Sequence, residues 1–372
     1  MEPDPIKKQR LAGLQVLRFV AAALVLWAHA KFAIETNSSP LMKNPFMSTS
    51  FGAIGVDIFF VISGFVIALT AEKPGMNWRL FLAQRVARIV PVYYFFIGAT
   101  VLIKALGHYE FDGGSYWWNT FFFVPLFDLH RYGRGVHNFG WTLSYEMWFY
   151  VVFAACLSFL RPNRVRLAMP IFLAVGALLI FPNYSGAWYM PHFAFHPLVL
   201  EFCSGCLLFH FRHRLKGAVV WILLCALPAF AYGSVLHERL GDHFGVLESV
   251  TLGYQRAGIW GGFAVCLVGC VICLDQSGKV NFPRWLVLLG DASYSIYLIQ
   301  PLSLKALQKL FVGVGDGVKL VAYVVIAIVG GLLVHLYIEK SICLKTRRFL
   351  ERLVKPAPAQ LLPSSVAGVG DR

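Results

Sequence analysis

The chain has 372 residues, of which 58% are hydrophobic and 14% charged, and its mean hydropathy is +0.64. Soluble domains carry nearly a quarter charged residues, so this composition excludes a soluble enzyme and points to a polytopic membrane protein. The net charge of +14 would suit nucleic acid, but the basic residues cluster at the ends of apolar runs, where they mark topology instead.

Met1 to Leu11 is polar and basic (Lys7, Lys8, Arg10) and is expected in the cytoplasm. The first span, Gly13 to Lys31, is a nearly continuous apolar run interrupted by Arg18 and closed by His29. It has no small-residue cleavage site after a short apolar core, so it is expected to be retained. Arg18 and His29 are eleven residues apart, which on a helix leaves them on one face, separated by about 16 Å along the axis. An ionisable residue at membrane depth costs about 2.5 kcal/mol or more and is tolerated facing a bundle interior or a wet cavity. That face is expected to line a site.

Ile34 to Ser50 reads as an outer loop, and Gly52 to Leu69 as the second span, with Asp57 near its outer end and Ser63 and Gly64 near its middle. Glu72 to Arg88, with Lys73, Arg79, Arg85 and Arg88, reads as an inner loop leading through Pro91 into a third span from Val90 to Leu106. Gly107 to Asn138 is long and aromatic and is expected outside, its section Asn119 to Leu129 being too short to span. The fourth span, Trp141 to Leu160, carries Glu146 and ends at the basic Arg161 to Arg166.

Regular hairpins follow. Spans are expected at Ala168 to Phe181, Leu198 to Phe211, Gly217 to Val235, Ala257 to Leu274, Trp285 to Leu304 and Val318 to Ile338. Arg212, Arg214, Lys216, Lys279, Arg284 and Lys340 to Lys355 fall inside, and the histidine-bearing loops around His192, His196, His237 and His243 outside. The expected fold is therefore an all-α polytopic integral membrane bundle of about ten transmembrane helices with both termini cytoplasmic. Residues 1–355 form the membrane domain, and residues 356–372, rich in Pro, Ala, Ser and Gly, a disordered cytoplasmic tail. The eight cysteines fall in apolar runs or on the basic side, so no disulfide framework is implied. Cys203/Cys206 and Cys270/Cys273 read as helix packing, and no metal is expected.

Arg85 and Arg88, spaced i, i+3, share a helix face at the inner interface, where paired guanidiniums can grip phosphates; taken alone they equally suit a cytoplasmic flank. His29 suits a proton carrier, since imidazole titrates near neutrality. Glu146 and Asp57 either orient His29 or form structural ion pairs with Arg18 or another cation. Phosphate grippers inside, a polar column through the bundle and a His with carboxylates toward the outside suit a phosphorylated donor entering from the cytoplasm.

With these residues on the page, the chain resembles acyltransferase family 3 of membrane-bound acyl transferases over most of Leu11 to Lys340. The resemblance is carried by Arg18 followed by His29, GVDIFFVISGF at Gly55 to Phe65, QRVARIVP at Gln84 to Pro91 and WTLSYEMWFY at Trp141 to Tyr150. LEFCSGCLL, SYSIYLIQP at Ser293 to Pro301 and YIEK at Tyr337 to Lys340 complete it. It implies O-acyl transfer from acyl-CoA, usually acetyl-CoA, to a carbohydrate hydroxyl across a bacterial-type inner membrane, and the wording is most similar to the exopolysaccharide acetyltransferase branch. Carried over by motif, His29 is the catalytic residue and Arg18 its companion, with Glu146 on the acceptor side. Phe59, Phe60, Ser63 and Gly64 are the walls of a CoA channel, and Arg85 and Arg88 the phosphate contacts. Gln15 and Gln300 depart from the family, standing where many members carry Asp and His. The reading weighed against this one is a transporter or flippase of a polar lipid-linked sugar using the same polar column, and a structural partner in polysaccharide assembly is a third.

Overall fold

The computed structural model describes residues 11–30, 51–106, 116–124, 126–128, 131–133, 140–183, 189–215, parts of 221–232 and 250–354. The basic N-terminal stretch, the outer loop 34–50, most of the seventh span with the loop after it, and the tail 356–372 lie outside the described residues. Among the described residues, eight helices are long and apolar enough to cross a bilayer, giving the all-α polytopic bundle.

The bundle is organised around α2 (Ile54–Ala71), most of whose residues are buried. α1 (Ala12–Ala30) lies on one side of it and α8 (Val199–His210) on another. Two glycines set the α2–α8 approach: a Cβ on Gly64 would lie 2.1 Å from the Phe202 carbonyl oxygen, and one on Gly205 would lie 2.0 Å from that of Val61. Lipid tails are as apolar as Leu, so close backbone approach of this kind replaces hydrophobic burial as the force joining helices. The Cys206 thiol, also on this seam, donates to the Gly64 carbonyl at 3.3 Å. Phe202 stacks on Phe60 and on Phe149 of α5 (Gly140–Phe159), each at 4.4 Å between centroids.

Four expectations are corrected. The inner loop 72–88 is helical from Trp78 onward, because α3 runs from Trp78 to Leu106 with Pro91 inside it. Pro91 lacks an N–H and would ordinarily break the ladder. Here the carbonyls beside it receive donors from neighbouring helices: Tyr294 Oη donates to Ile89 at 3.0 Å, and the Cys343 thiol approaches the Arg88 oxygen at 3.5 Å. The outer segment adds a short helix, α4 (Tyr116–Phe122), and a small antiparallel hairpin of β1 (Leu126–Asp128) and β2 (Arg131–Gly133), with Phe127 opposite Tyr132.

α6 (Pro162–Leu179), α7 (Tyr189–Ala194) and α9 (Val250–Ser277) follow. The ninth span is broken at Ala292 into α10 (Arg284–Asp291) and α11 (Ser293–Leu310), where Gly290 presses so close to α1 that a Cβ would sit 2.0 Å from the Gln15 oxygen. The tenth does not stop at Ile338: α12 (Asp316–Val334) passes through a π turn, His335–Glu339, into α13 (Lys340–Val354), which packs along α3. Gln84 Nε2 ties the two by donating to Glu351 at 2.8 Å.

Candidate active site

A cavity of about 440 Å³ opens between α1, α2, α3, α5 and α11. That volume lies within the range of small-molecule sites. α1 contributes Gln15 and Arg18; α2 contributes Phe59, Phe60 and Ser63; α3 contributes Arg85 and Arg88; α5 contributes Thr142, Glu146 and Tyr150; α11 contributes Tyr294 and Tyr297. Lys73, from the turn between α2 and α3, joins the lining. Among the lining residues, four cations therefore face one carboxylate.

The cations stand at different depths. Lys73 and Arg88 are exposed, whereas Arg85 is buried at 6% exposure. One Arg85 Nη donates to Thr70 Oγ1, and its guanidinium lies over the rings of Phe81 and Tyr150 at 5.5 and 5.6 Å. Its Nε has no hydrogen-bond partner among the described residues. A buried cation this sparsely answered suits an anion arriving from outside the chain. Arg18, half-buried, donates to Gln15 Oε1 at 3.1 Å. Glu146 accepts from Ser63 Oγ at 2.8 Å and from Tyr150 Oη, and these bonds hold the carboxylate against α2. Partial desolvation by the cavity wall pushes the Lys73 ammonium below the usual lysine value, exposed as the residue is overall, and the positive fields of Arg85 and Arg347 act the same way.

Of the residues singled out in the sequence, Arg18, Phe59, Phe60, Ser63, Arg85, Arg88 and Glu146 converge on this cavity. Three do not line it. Gly64 is spent on the approach to Phe202. Asp57, 0% exposed, is held by Arg256 through bonds of 3.0 Å from Nε and 2.8 Å from Nη2, beside the buried Glu201. This is the ion-pair alternative, with a cation that the sequence reading had left unnamed. His29 stands three turns beyond Arg18 on α1, about 16 Å along the axis. Its Nδ1 lies 2.9 Å from Gln300 Oε1, one turn of α11 past Tyr297, which lines the cavity.

Sequence reasoning missed Tyr150, Thr70, Tyr297 and Arg256. Tyr150 was signalled by its spacing, since i, i+4 from Glu146 puts both on one helix face. Arg256 carried no such signal, because its partner is 199 positions away.

A sequence profile described as "Acyltransferase domain" matches residues 11–339. The chain is similar to the exopolysaccharide production protein ExoZ of Rhizobium meliloti, 31% identical over 80% of this chain and 91% of that protein. It is also similar to the peptidoglycan O-acetyltransferase OatA of Listeria monocytogenes, 29% identical over 66% of this chain and 44% of OatA. The acyltransferase MdmB of Streptomyces mycarofaciens is 31% identical over 44% of this chain and 43% of its own length. No solved structure matches the chain.

Proposed function

This chain belongs to the acyltransferase-domain family as an integral multi-pass membrane protein, and from that membership we propose that it moves an acetyl group from acetyl-CoA to a hydroxyl of a cell-surface or lipid-linked polysaccharide. The observation that carries the donor half of this reading is the cavity in which Lys73, Arg18, Arg85 and Arg88 outnumber Glu146. Guanidinium forks match phosphate oxygens, and a buried guanidinium short of partners gains most from one. Arg85, Arg88 and Lys73 would hold the phosphates of the donor, with both termini and the cavity mouth on the cytoplasmic face of a bacterial-type inner membrane. Phe59 and Phe60 would flank its arm.

The acceptor half is supported by what the relatives do, exopolysaccharide production for ExoZ and peptidoglycan O-acetylation for OatA. The separation of about 16 Å between Arg18 and His29 along α1 is of the order of an extended pantetheine arm, so phosphates at the cations can serve a thioester near His29. In the reaction we propose, His29 takes the proton from the acceptor hydroxyl as its oxygen attacks the thioester carbonyl. The tetrahedral intermediate collapses with cleavage of the C–S bond, and the thiolate of CoA takes the proton back from the imidazolium. A relay in which His29 itself is transiently acetylated balances equally well.

The test is incubation of purified protein with labelled acetyl-CoA and acceptor glycan, following thiol release and label on the glycan. The reading expects both in the wild-type protein and neither in His29→Ala, which should still insert. Near-normal O-acetylation by His29→Ala would remove the residue from the chemistry, and a transporter would release no thiol at all.

A further inference from the structure

Gln300 of α11 stands beside His29 of α1, and its surroundings give it a use. The residue is 0% exposed, with Oε1 2.9 Å from His29 Nδ1 and an Nε2 that has no hydrogen-bond partner among the described residues. A buried amide with its NH2 unpaired destabilises the fold relative to a leucine or methionine of similar size. A residue that destabilises in this way is retained where it does something to a neighbour, and its one hydrogen bond among the described residues is to His29.

We propose that Gln300 is a positioning residue that holds His29 in the tautomer protonated at Nδ1, leaving Nε2 as the basic nitrogen. The inference rests on the reading of His29 as the base. A neutral imidazole has one donor and one acceptor nitrogen, and a carbonyl oxygen facing Nδ1 is answered only by an N–H there. The lone pair then belongs to Nε2, at the tip of the ring.

In hydrolases a carboxylate commonly does this job and also stabilises the imidazolium once it forms. An amide does the first without the second. The imidazolium formed here is accordingly disposed to return its proton to the departing thiolate instead of persisting. Turned about its terminal bond, the same amide would offer its NH2 to Nδ1 and reverse the tautomer. The two arrangements therefore make opposite predictions about one nitrogen.

The direct test uses full-length protein reconstituted in bilayers and labelled with histidine carrying ¹⁵N at Nδ1 only. Solid-state spectra are recorded at a pH where the ring is neutral, with the His29 signal assigned by its loss in His29→Gln. The proposal expects a protonated Nδ1; an unprotonated Nδ1 overturns it. The kinetic arm compares Gln300→Leu, which cannot accept, with Gln300→Glu, which can. Gln300→Leu should lower kcat about tenfold with the donor KM unchanged, and Gln300→Glu should recover most of that loss. An unaltered kcat in Gln300→Leu, or equal losses in both variants, would overturn the positioning role. The labelled spectrum needs no folded Gln300 variant. It also reads independently of transfer, so an active His29→Ala would sink the proposed function while the tautomer stood or fell on its own signal.

Discussion

Two groups of charged side chains, in the spans and at their inner ends, are used in opposite ways. Asp57 and Arg256 close on each other through two bonds, both fully sequestered, and neither lines the cavity. Arg18, Arg85, Arg88 and Lys73 do the reverse, gathering around an open volume with Glu146 as the one carboxylate among its lining residues. The first group neutralises itself within the protein; the second has charge left over for a ligand. An ionisable residue in a span thus marks a site only when its charge is not already answered across the bundle.

Breaking the closed pair gives the largest expected effect. Asp57→Ala leaves Arg256 buried with only Glu201 near to answer it and is expected to cost about 3 kcal/mol, read as a lowered unfolding temperature in detergent. Replacing both partners, Asp57→Leu with Arg256→Met, should recover most of that stability. A double variant no more stable than the single one would mean that the pair does more than balance charge.

Opening the second group should act on the donor instead of the fold. Arg85→Ala with Arg88→Ala is expected to weaken acyl-CoA binding about 100-fold, two charge-assisted hydrogen bonds' worth, while the unfolding temperature changes little. Unchanged affinity would take these residues out of the phosphate site.

Lys73 gives the smallest and most specific effect. Its ammonium already loses its proton below the usual lysine range through partial desolvation and the fields of Arg85 and Arg347. The cation is fully present below that lowered value and disappears as pH rises through it. Donor affinity should therefore fall on the alkaline side by a few-fold, earlier than an ordinary lysine would produce. Lys73→Arg should abolish the alkaline fall, and an identical pH profile in this variant would assign the fall to another group.

The spans were legible because lipid demands long apolar runs and positive flanks mark their inner ends, which is why α1, α2, α5 and α8 lie within a few residues of the expected first, second, fourth and sixth spans. The start of α3 was not, since Arg79, Arg85 and Arg88 make the stretch polar and Pro91 looks like a helix beginning. Packing against α13 and side-chain donors to the carbonyls of Arg88 and Ile89, just before Pro91, make that stretch helical, and both arrive from more than 200 residues away. The cavity was half legible. Spacing gave Arg18, Arg85, Arg88 and Glu146, and the family resemblance Phe59, Phe60 and Ser63, but only the i, i+4 Tyr150 distinguishes Glu146, which turns toward Ser63 and Tyr150, from Asp57, whose carboxylate is answered by Arg256.

The central claim, that the donor's phosphates dock among these cations, is tested most directly by photolabelling the reconstituted protein with an acyl-CoA analogue bearing a photoreactive group on its adenine ring. The account predicts adducts within the Lys73 to Ile89 stretch that excess CoA suppresses. Suppressible adducts confined to other parts of the chain, or no suppressible adduct anywhere, would contradict it.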